Sequence, residues 1–236
     1  MSAPAVLVVQ NSATSGLRRF ETWWRQSGLR LDVRQGADGL PGTPDGYDGL
    51  VLLGGGLLPS DDERAPWLPA ERALTAAALE RGLPTLGICL GGQLLAEVAG
   101  GRVTARHGRP ERGSTTIGLT DAASDDPLFA GLPRTVRMIE NHEDSITALP
   151  AGAVLLASSR DHPHQAFRVG EHAWGLQFHP EVAAAELARW NAAELAAGGL
   201  DLDRLRREAD AAEPRAASVA RALADGFARV VAATVA

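Results

Sequence analysis

Cysteine occurs once in 236 residues, at Cys89, so no intramolecular disulfide can form and the chain suits a reducing compartment. A cytoplasmic address is the expectation. No apolar run approaches the roughly 20 residues that a membrane-crossing helix needs, so no membrane partner is expected. The first ten residues carry no basic segment, and their apolar part is short enough to be a strand, so they do not read as a signal peptide. Aromatic residues make up only 5%, and the formal net charge is −6 with arginines scattered along the chain. That pattern argues against a nucleic-acid partner, because phosphate backbones are neutralised by clustered cations. Internal repeats and low-complexity linkers are also missing. What remains is an ordinary globular composition, 45% hydrophobic and 22% charged, with enough chain for one large domain or two small ones.

Short apolar runs alternate with helical patterns, which predicts an α/β sheet with crossover helices. Ala5 to Val9, Leu29 to Val33, Leu50 to Leu53 and Leu83 to Ile88 read as strands, separated by helices over Leu17 to Gln26 and Pro69 to Arg81. Gly28 and Gly82 stop those helices. From Arg102 to about Val169 strands and turns dominate: Ser114 to Leu119, Val136 to Ile139, Val154 to Ala157 and Gln165 to Val169, followed by Ala173 to Phe178. Beyond Val182 the composition shifts to Ala, Leu, Arg and Glu, which predicts two or three helices broken at Gly198-Gly199 and Pro214.

The lone cysteine sits in Gly87-Ile88-Cys89-Leu90-Gly91, a G-x-nucleophile-x-G pattern. Small flanking residues permit the sharp strand-to-helix turn that lifts a nucleophile to the sheet's carboxyl edge. The following helix then offers its positive end to a thiolate, and the N–H of Leu90 to an oxyanion. A competing reading, a small buried hydrophobe, is the usual fate of a lone cysteine. A second segment, Gly175-Leu176-Gln177-Phe178-His179-Pro180-Glu181, supplies what a thiol nucleophile lacks. Alternation along an extended strand points Leu176 and Phe178 into the core and puts Gln177, His179 and Glu181 on the other face. Glu181 can then hold the imidazole through Nδ1–H, leaving Nε2 to exchange a proton with Cys89.

GICLGGQ and GLQFHPE, about ninety residues apart, resemble the class I glutamine amidotransferase family, and the similarity covers roughly the first 185 residues. The LVLLGGG strand end belongs to it, and HEDSITALP resembles the corresponding stretch of the amidotransferase domain of GMP synthetase. The resemblance implies a flavodoxin-like three-layer sandwich with a mostly parallel central sheet over residues 1–185, with 186–236 as a helical extension packed on or beside it. It also implies hydrolysis of the γ-carboxamide of glutamine to glutamate and ammonia through a γ-glutamyl thioester. Carried over by position, Cys89 is the nucleophile, His179 the base and then acid, and Glu181 the orienting carboxylate. Gly55 and Leu90 would supply the oxyanion hole, with Gly54, Gln93 and His142 near the bound glutamine.

Other polar clusters carry less. His162-Pro163-His164 reads as a turn, so neither a metal nor another cofactor is expected, and Asp61-Asp62-Glu63 reads as a solvated loop near the substrate. His142 is either a pocket-lining residue or an ordinary loop histidine. No Walker-type GxxxxGK[ST] motif is present, so an ATP-dependent acceptor synthetase or ligase would be a separate partner. Three functional readings remain: an amidotransferase that supplies ammonia to such a partner, a stand-alone hydrolase of γ-glutamyl peptides or amides, and an inactive binding module.

Overall fold

The computed structural model describes residues 3–234. Five strands form the parallel half of a nine-stranded sheet: β1 (Ala5–Gln10), β2 (Arg30–Gln35), β3 (Gly49–Leu52), β4 (Thr85–Ile88) and β11 (Ala173–Leu176). Between β4 and β11 in sequence lie β5 (Arg102–Thr104), β6 (Glu111–Leu119), β7 (Thr135–His142), β8 (Ser145–Ala148), β9 (Val154–Ser159) and β10 (Ala166–Val169). The sheet order is β2-β1-β3-β4-β11-β10-β9-β6-β7, antiparallel from β11 outward, while β5 and β8 form a separate two-stranded sheet.

Four of the parallel strands, β1, β3, β4 and β11, are buried on both faces, which is why they read as apolar runs, while β2 lies at the sheet edge and keeps an alternating, largely exposed pattern. Along β1, Val6 and Val8 face one layer while Leu7 and Val9 face the other. The first layer contains α1 (Arg19–Gln26), through Phe20 and Trp24, and α5 (Leu202–Ala233), through Val219, Leu223 and Phe227. The second contains α2 (Leu68–Glu80), through Leu68 and Leu74, and α3 (Leu90–Val98), through Leu94. The result is the three-layer α/β sandwich that the sequence predicts.

The C-terminal segment differs from expectation at one point. Gly198-Gly199 does end a short helix, α4 (Ala192–Ala197), which Asn191 caps by accepting from the N–H groups of Ala193 and Glu194. Pro214, however, lies inside α5, which runs unbroken for 32 residues. An interior proline costs about 3 kcal/mol of helix stability. Contacts on both sides of it supply more than that. Leu205 and Ala209 pack with Ile139 and Leu187, and the stretch from Val219 to Val231 packs into the main core. Next to the proline, Glu213 accepts from Arg19 Nη1 at 2.8 Å and from the Ala184 N–H at 2.9 Å.

One buried carboxylate lies close to the sheet edge. Glu71 of α2 is fully buried and accepts from Asn11 Nδ2 at 3.0 Å, while its Oε2 has no partner. Burial pushes its pKa up from 4.5 to about 7, against the hydrogen bond from Asn11 and the charge of Arg72. The folded form therefore binds this proton more tightly than the unfolded chain. Its contribution to stability is greatest below pH 4.5, declines as the pH rises from 4.5 to about 7, and amounts to at most roughly 3 kcal/mol. Urea unfolding at pH 5 and pH 8 should show a smaller loss of stability for Glu71→Gln than for the wild type. Equal losses would show that Glu71 does not hold the proton.

Candidate active site

Cys89 occupies the turn between β4 and α3, with φ 53° and ψ −110°. A residue other than glycine rarely adopts that backbone, and the strain is of order 1–3 kcal/mol. Hydrogen bonds fix the turn from both sides: the Cys89 N–H donates to the Leu176 carbonyl at 2.7 Å, and the Gln93 N–H donates to the Cys89 carbonyl at 2.9 Å. The glycines of the motif are required by close approach. A Cβ on Gly87 would lie 2.4 Å from the Gly91 carbonyl oxygen, and one on Gly91 would lie 2.1 Å from that of Leu52.

His179 follows β11, which ends at Leu176, short of the expected Phe178. The chain stays extended because the Gln177 N–H donates to the Gln165 carbonyl and the His179 N–H to that of Ile139, each at 2.8 Å. His179 Nδ1 donates to Glu181 Oε1 at 2.7 Å, and Glu181 is buried. The imidazole and the thiol converge on Gly54, where a Cβ would stand 3.2 Å from His179 Cε1 and 3.5 Å from Cys89 Cβ. Burial by itself would lower the His179 pKa. The negative charges of Glu181 and of the Cys89 sulfur, with the hydrogen bond to Glu181, outweigh it and hold the imidazole well above its ordinary 6.5. The arrangement favours a protonated imidazole beside Cys89.

Cys89 opens into a cavity of about 500 Å³ whose lining includes Gly55, Gln93, Asn141, His142 and Asp144. Gly55 sits between two supports, since a Cβ there would meet Asn11 Cβ and Leu90 Cδ2, each at 3.1 Å. Leu90 is the first residue of α3, where the backbone N–H has no intrahelical acceptor. Gln93 is buried, and its Nε2 donates to the Asp144 carbonyl at 3.2 Å and to Gln177 Oε1 at 3.1 Å. His142 ends β7 as a buried wall residue, with Nδ1 donating to the Asp144 carbonyl at 2.9 Å. At the rim, Glu143 pairs with Arg106 and Arg112, and Asp61 accepts from the Leu58 N–H at 3.0 Å.

Two further neighbours, Gln177 of the second motif and Arg19, are given no role by the sequence. Gln177 Nε2 reaches to 3.7 Å from the Cys89 sulfur, and alternation with His179 is the signal that puts it on the same face. Arg19 clamps the turn that carries Glu181. Its Nε donates to the Pro180 carbonyl at 2.7 Å, its Nη2 to the Val182 carbonyl at 2.8 Å, and its Nη1 to Glu213 of α5 at 2.8 Å.

Among the described residues, Glu111, His142 and His162 have side-chain atoms close enough together for a metal ion. Both His162 nitrogens are already engaged, with Ser145 Oγ at 2.8 Å and the Arg109 carbonyl at 2.7 Å. Glu111 Oε2 accepts from Gln165 at 2.6 Å. The group is a hydrogen-bonded cluster, and the turn that carries His162 is part of it.

The family model described as glutamine amidotransferase class-I matches residues 25–189. The chain belongs to the class-I glutamine amidotransferase family. Among curated relatives of this amidotransferase, GMP synthase [glutamine-hydrolyzing] of Thermomicrobium roseum is 43% identical over 133 residues, 56% of this chain and 23% of that protein. A glutamine-hydrolyzing GMP synthase subunit of Pyrococcus abyssi is 41% identical over 108 residues, 45% of this chain and 55% of that one. The chain thus spans between about a quarter and about half of these relatives' length. Among solved structures, a glutamine amidotransferase from Thermotoga maritima superposes with a TM-score of 0.85 at 29% identity, covering 98% of this chain and 99% of its own. A glutamine amido transferase from Methylobacillus flagellatus gives 0.84 at 22% identity over 98% and 96%, a likeness that concerns the fold. No helix among the described residues is long and apolar enough to cross a membrane.

Because the folded His179 pKa is raised, the stabilisation from its charged form is complete below about pH 6.5 and is lost as the pH climbs through the raised value. A histidine NMR titration should show the His179 ring still protonated well above pH 6.5, and Glu181→Gln should bring its midpoint down. A ring that titrates at or below 6.5 would contradict the ion-pair arrangement.

Proposed function

We propose that this amidotransferase hydrolyses the γ-carboxamide of glutamine with Cys89, His179 and Glu181 as its catalytic triad. The observation that carries this reading is the convergence on Gly54 of a thiol on a strained elbow and an imidazole held at 2.7 Å by a buried carboxylate. In the first half-reaction the Cys89 thiolate attacks the carboxamide carbon, and the oxyanion is stabilised by the N–H groups of Gly55 and Leu90. The His179 imidazolium gives its proton to the departing nitrogen, so ammonia leaves and a γ-glutamyl thioester remains. His179, now neutral, takes a proton from water, which attacks the thioester carbonyl. The thiolate is expelled, glutamate leaves and the imidazolium is restored. Glu181 keeps Nδ1 protonated throughout and steadies the charged ring.

Substrate contacts fall to the cavity wall, where Gln93 and His142 border the space in front of Cys89, while Gly54 leaves room between the thiol and the imidazole. That the Pyrococcus relative is named as one subunit of a synthase supports a further reading, in which the ammonia passes to a separate acceptor synthetase or ligase. No cofactor takes part in the chemistry described.

Cys89→Ala should lower glutamate release from glutamine by roughly three orders of magnitude or more while the thermal unfolding midpoint stays close to that of the wild type. His179→Ala should do nearly the same, and Glu181→Gln should be milder. Full glutaminase activity in Cys89→Ala would overturn the assignment. A diazo-ketone analogue of glutamine should label Cys89, and the chain contains no lysine side chain to compete for it. Parallel assays on γ-glutamyl peptides separate the readings: turnover of peptides but not of glutamine would favour the stand-alone hydrolase.

A further inference from the structure

Behind the cavity wall lies a set of buried polar groups that this chemistry does not use. Glu140 of β7 is completely buried, and neither of its carboxylate oxygens has a hydrogen-bond partner. An orphaned carboxylate of that kind is costly unless a cation or a proton accompanies it. Its Oε2 lies 3.4 Å from His142 Nε2, and Glu111 Oε2, from the adjacent strand β6, lies 3.1 Å from the same nitrogen. The opposite ring nitrogen, Nδ1, faces the Asp144 carbonyl. A carbonyl only accepts, so Nδ1 carries a hydrogen, and in the neutral ring Nε2 presents a lone pair.

With the ring neutral, His142 Nε2 and the two carboxylates meet at one point as three acceptors, and they repel one another unless a proton lies between them. Gln165 Nε2 donates to Glu111 at 2.6 Å, and against the cost of burial the hydrogen-bonding side chains of His142 and Ser159 hold the Glu111 pKa below the ordinary carboxylate value, so Glu111 is the ionised member. We infer that Glu140 is held as a neutral carboxylic acid that donates its hydrogen to His142 Nε2, making it a positioning residue for the wall of the glutamine cavity.

The groups facing Glu140 come from every side. Glu111 approaches from β6 and His142 from its own strand, His179 follows β11, and Cys89 lies on the elbow. Beyond Glu111, His162 meets the His142 ring edge-on at 4.7 Å, and Arg112 donates to the His142 carbonyl. Burial is the main force that keeps the proton on Glu140, and the negative charges of Glu111 and Cys89 add to it against the charge of His179. The consequence reaches the nucleophile by a chain of contacts. The Asp144 carbonyl accepts from both His142 Nδ1 and Gln93 Nε2, Gln93 also donates to Gln177, and Gln177 donates to the Cys89 sulfur. Turning the His142 ring would therefore disturb Gln93 at the cavity wall.

Infrared difference spectra of wild type against Glu140→Gln should contain the carbonyl band of a protonated carboxylic acid that persists at pH 8. This readout does not depend on turnover. The kinetic arm rests on the hydrolase reading above. Glu140→Gln keeps an N–H donor for His142 at every pH, so its kcat/KM should stay within about threefold of wild type. The alkaline limb of its pH profile should lie higher than that of the wild type. Glu140→Leu leaves His142 Nε2 without a donor and should raise KM for glutamine about tenfold with a smaller change in kcat. Thermal unfolding checks that the leucine variant is folded. A band that is absent or lost near pH 4.5 would overturn the proposal, as would equal impairment of the two variants. A stoichiometric divalent metal in the purified protein would also overturn it, with an ion in place of the proton. If the wild type releases no glutamate, the hydrolase reading falls while the infrared band still judges the proton.

Discussion

Everything in the site depends on β4 and β11 lying side by side and parallel. Gly87 pairs with Gly175 and Ile88 with Leu176, so two segments almost ninety residues apart end at the same sheet edge in the same direction. The residue after Ile88 is the thiol, and the third residue after Leu176 is the imidazole. A register slip of one residue would turn each side chain to the opposite face, where the helices would bury it. Slippage is opposed by the hydrogen bond from the Cys89 N–H to the Leu176 carbonyl, which ties the elbow directly to the neighbouring strand. The elbow folds Gly91 back against Gly87, and β3 on the other side of β4 brings the Leu52 carbonyl against Gly91, so neither glycine can carry a side chain. The glycines around Cys89 are thus a consequence of the sheet as much as of the turn.

The C-terminal helix is bound into this geometry. Arg19 spends its guanidinium on the two carbonyls that flank Glu181 and on Glu213 of α5. Burial lowers the Arg19 pKa, and the charges of Glu213 and Glu181 oppose that effect. A buried guanidinium with fixed acceptors is a rigid strut, because its planar fork leaves few alternative geometries. The turn that carries Glu181 is therefore braced by Arg19 of the first helix and, through it, by Glu213 of the last. Pro214 is tolerated in α5 for a related reason: the neighbouring Glu213 has tertiary partners that a kinked helix would lose.

How much of this the sequence discloses depends on which contacts define each element. The inner parallel strands are buried on both faces and appear as plain apolar runs, the edge strand β2 shows as an alternating one, and the elbow is marked by steric needs that only glycine meets. The antiparallel half is harder to read. β5 and β8 are three and four residues long, and Arg102–Thr104 carries too little apolar character to stand out. β7 extends past Ile139 through Glu140, Asn141 and His142, three polar residues that resemble a loop. Glu140 and His142 are buried nonetheless, His142 because Glu111 of β6 and the Asp144 carbonyl two residues on take up its ring nitrogens. Gln177 and Arg19 are legible only in part, since their roles are set by partners that no local pattern announces. Cys89, His179 and Glu181 stand out because motif spacing reports strand ends directly.

Rigidity on this scale bears on what the site can do before a substrate arrives. The strain at Cys89 would relax if the turn could open, but opening it would break the bonds to Leu176 and Gln93 and pull α3 off the sheet. The imidazole is equally confined, by Glu181 on one nitrogen and by its backbone bond to Ile139. Charges buried in such a setting cannot reorganise cheaply, so a pair of opposite sign is favoured over either charge alone. An imidazole whose pKa is held well above its ordinary value therefore brings a positive charge beside the Cys89 sulfur before anything binds. Preorganisation of that kind moves the cost of aligning and desolvating the reacting groups into the folding of the sheet, where the hydrophobic layers on both faces supply the driving force.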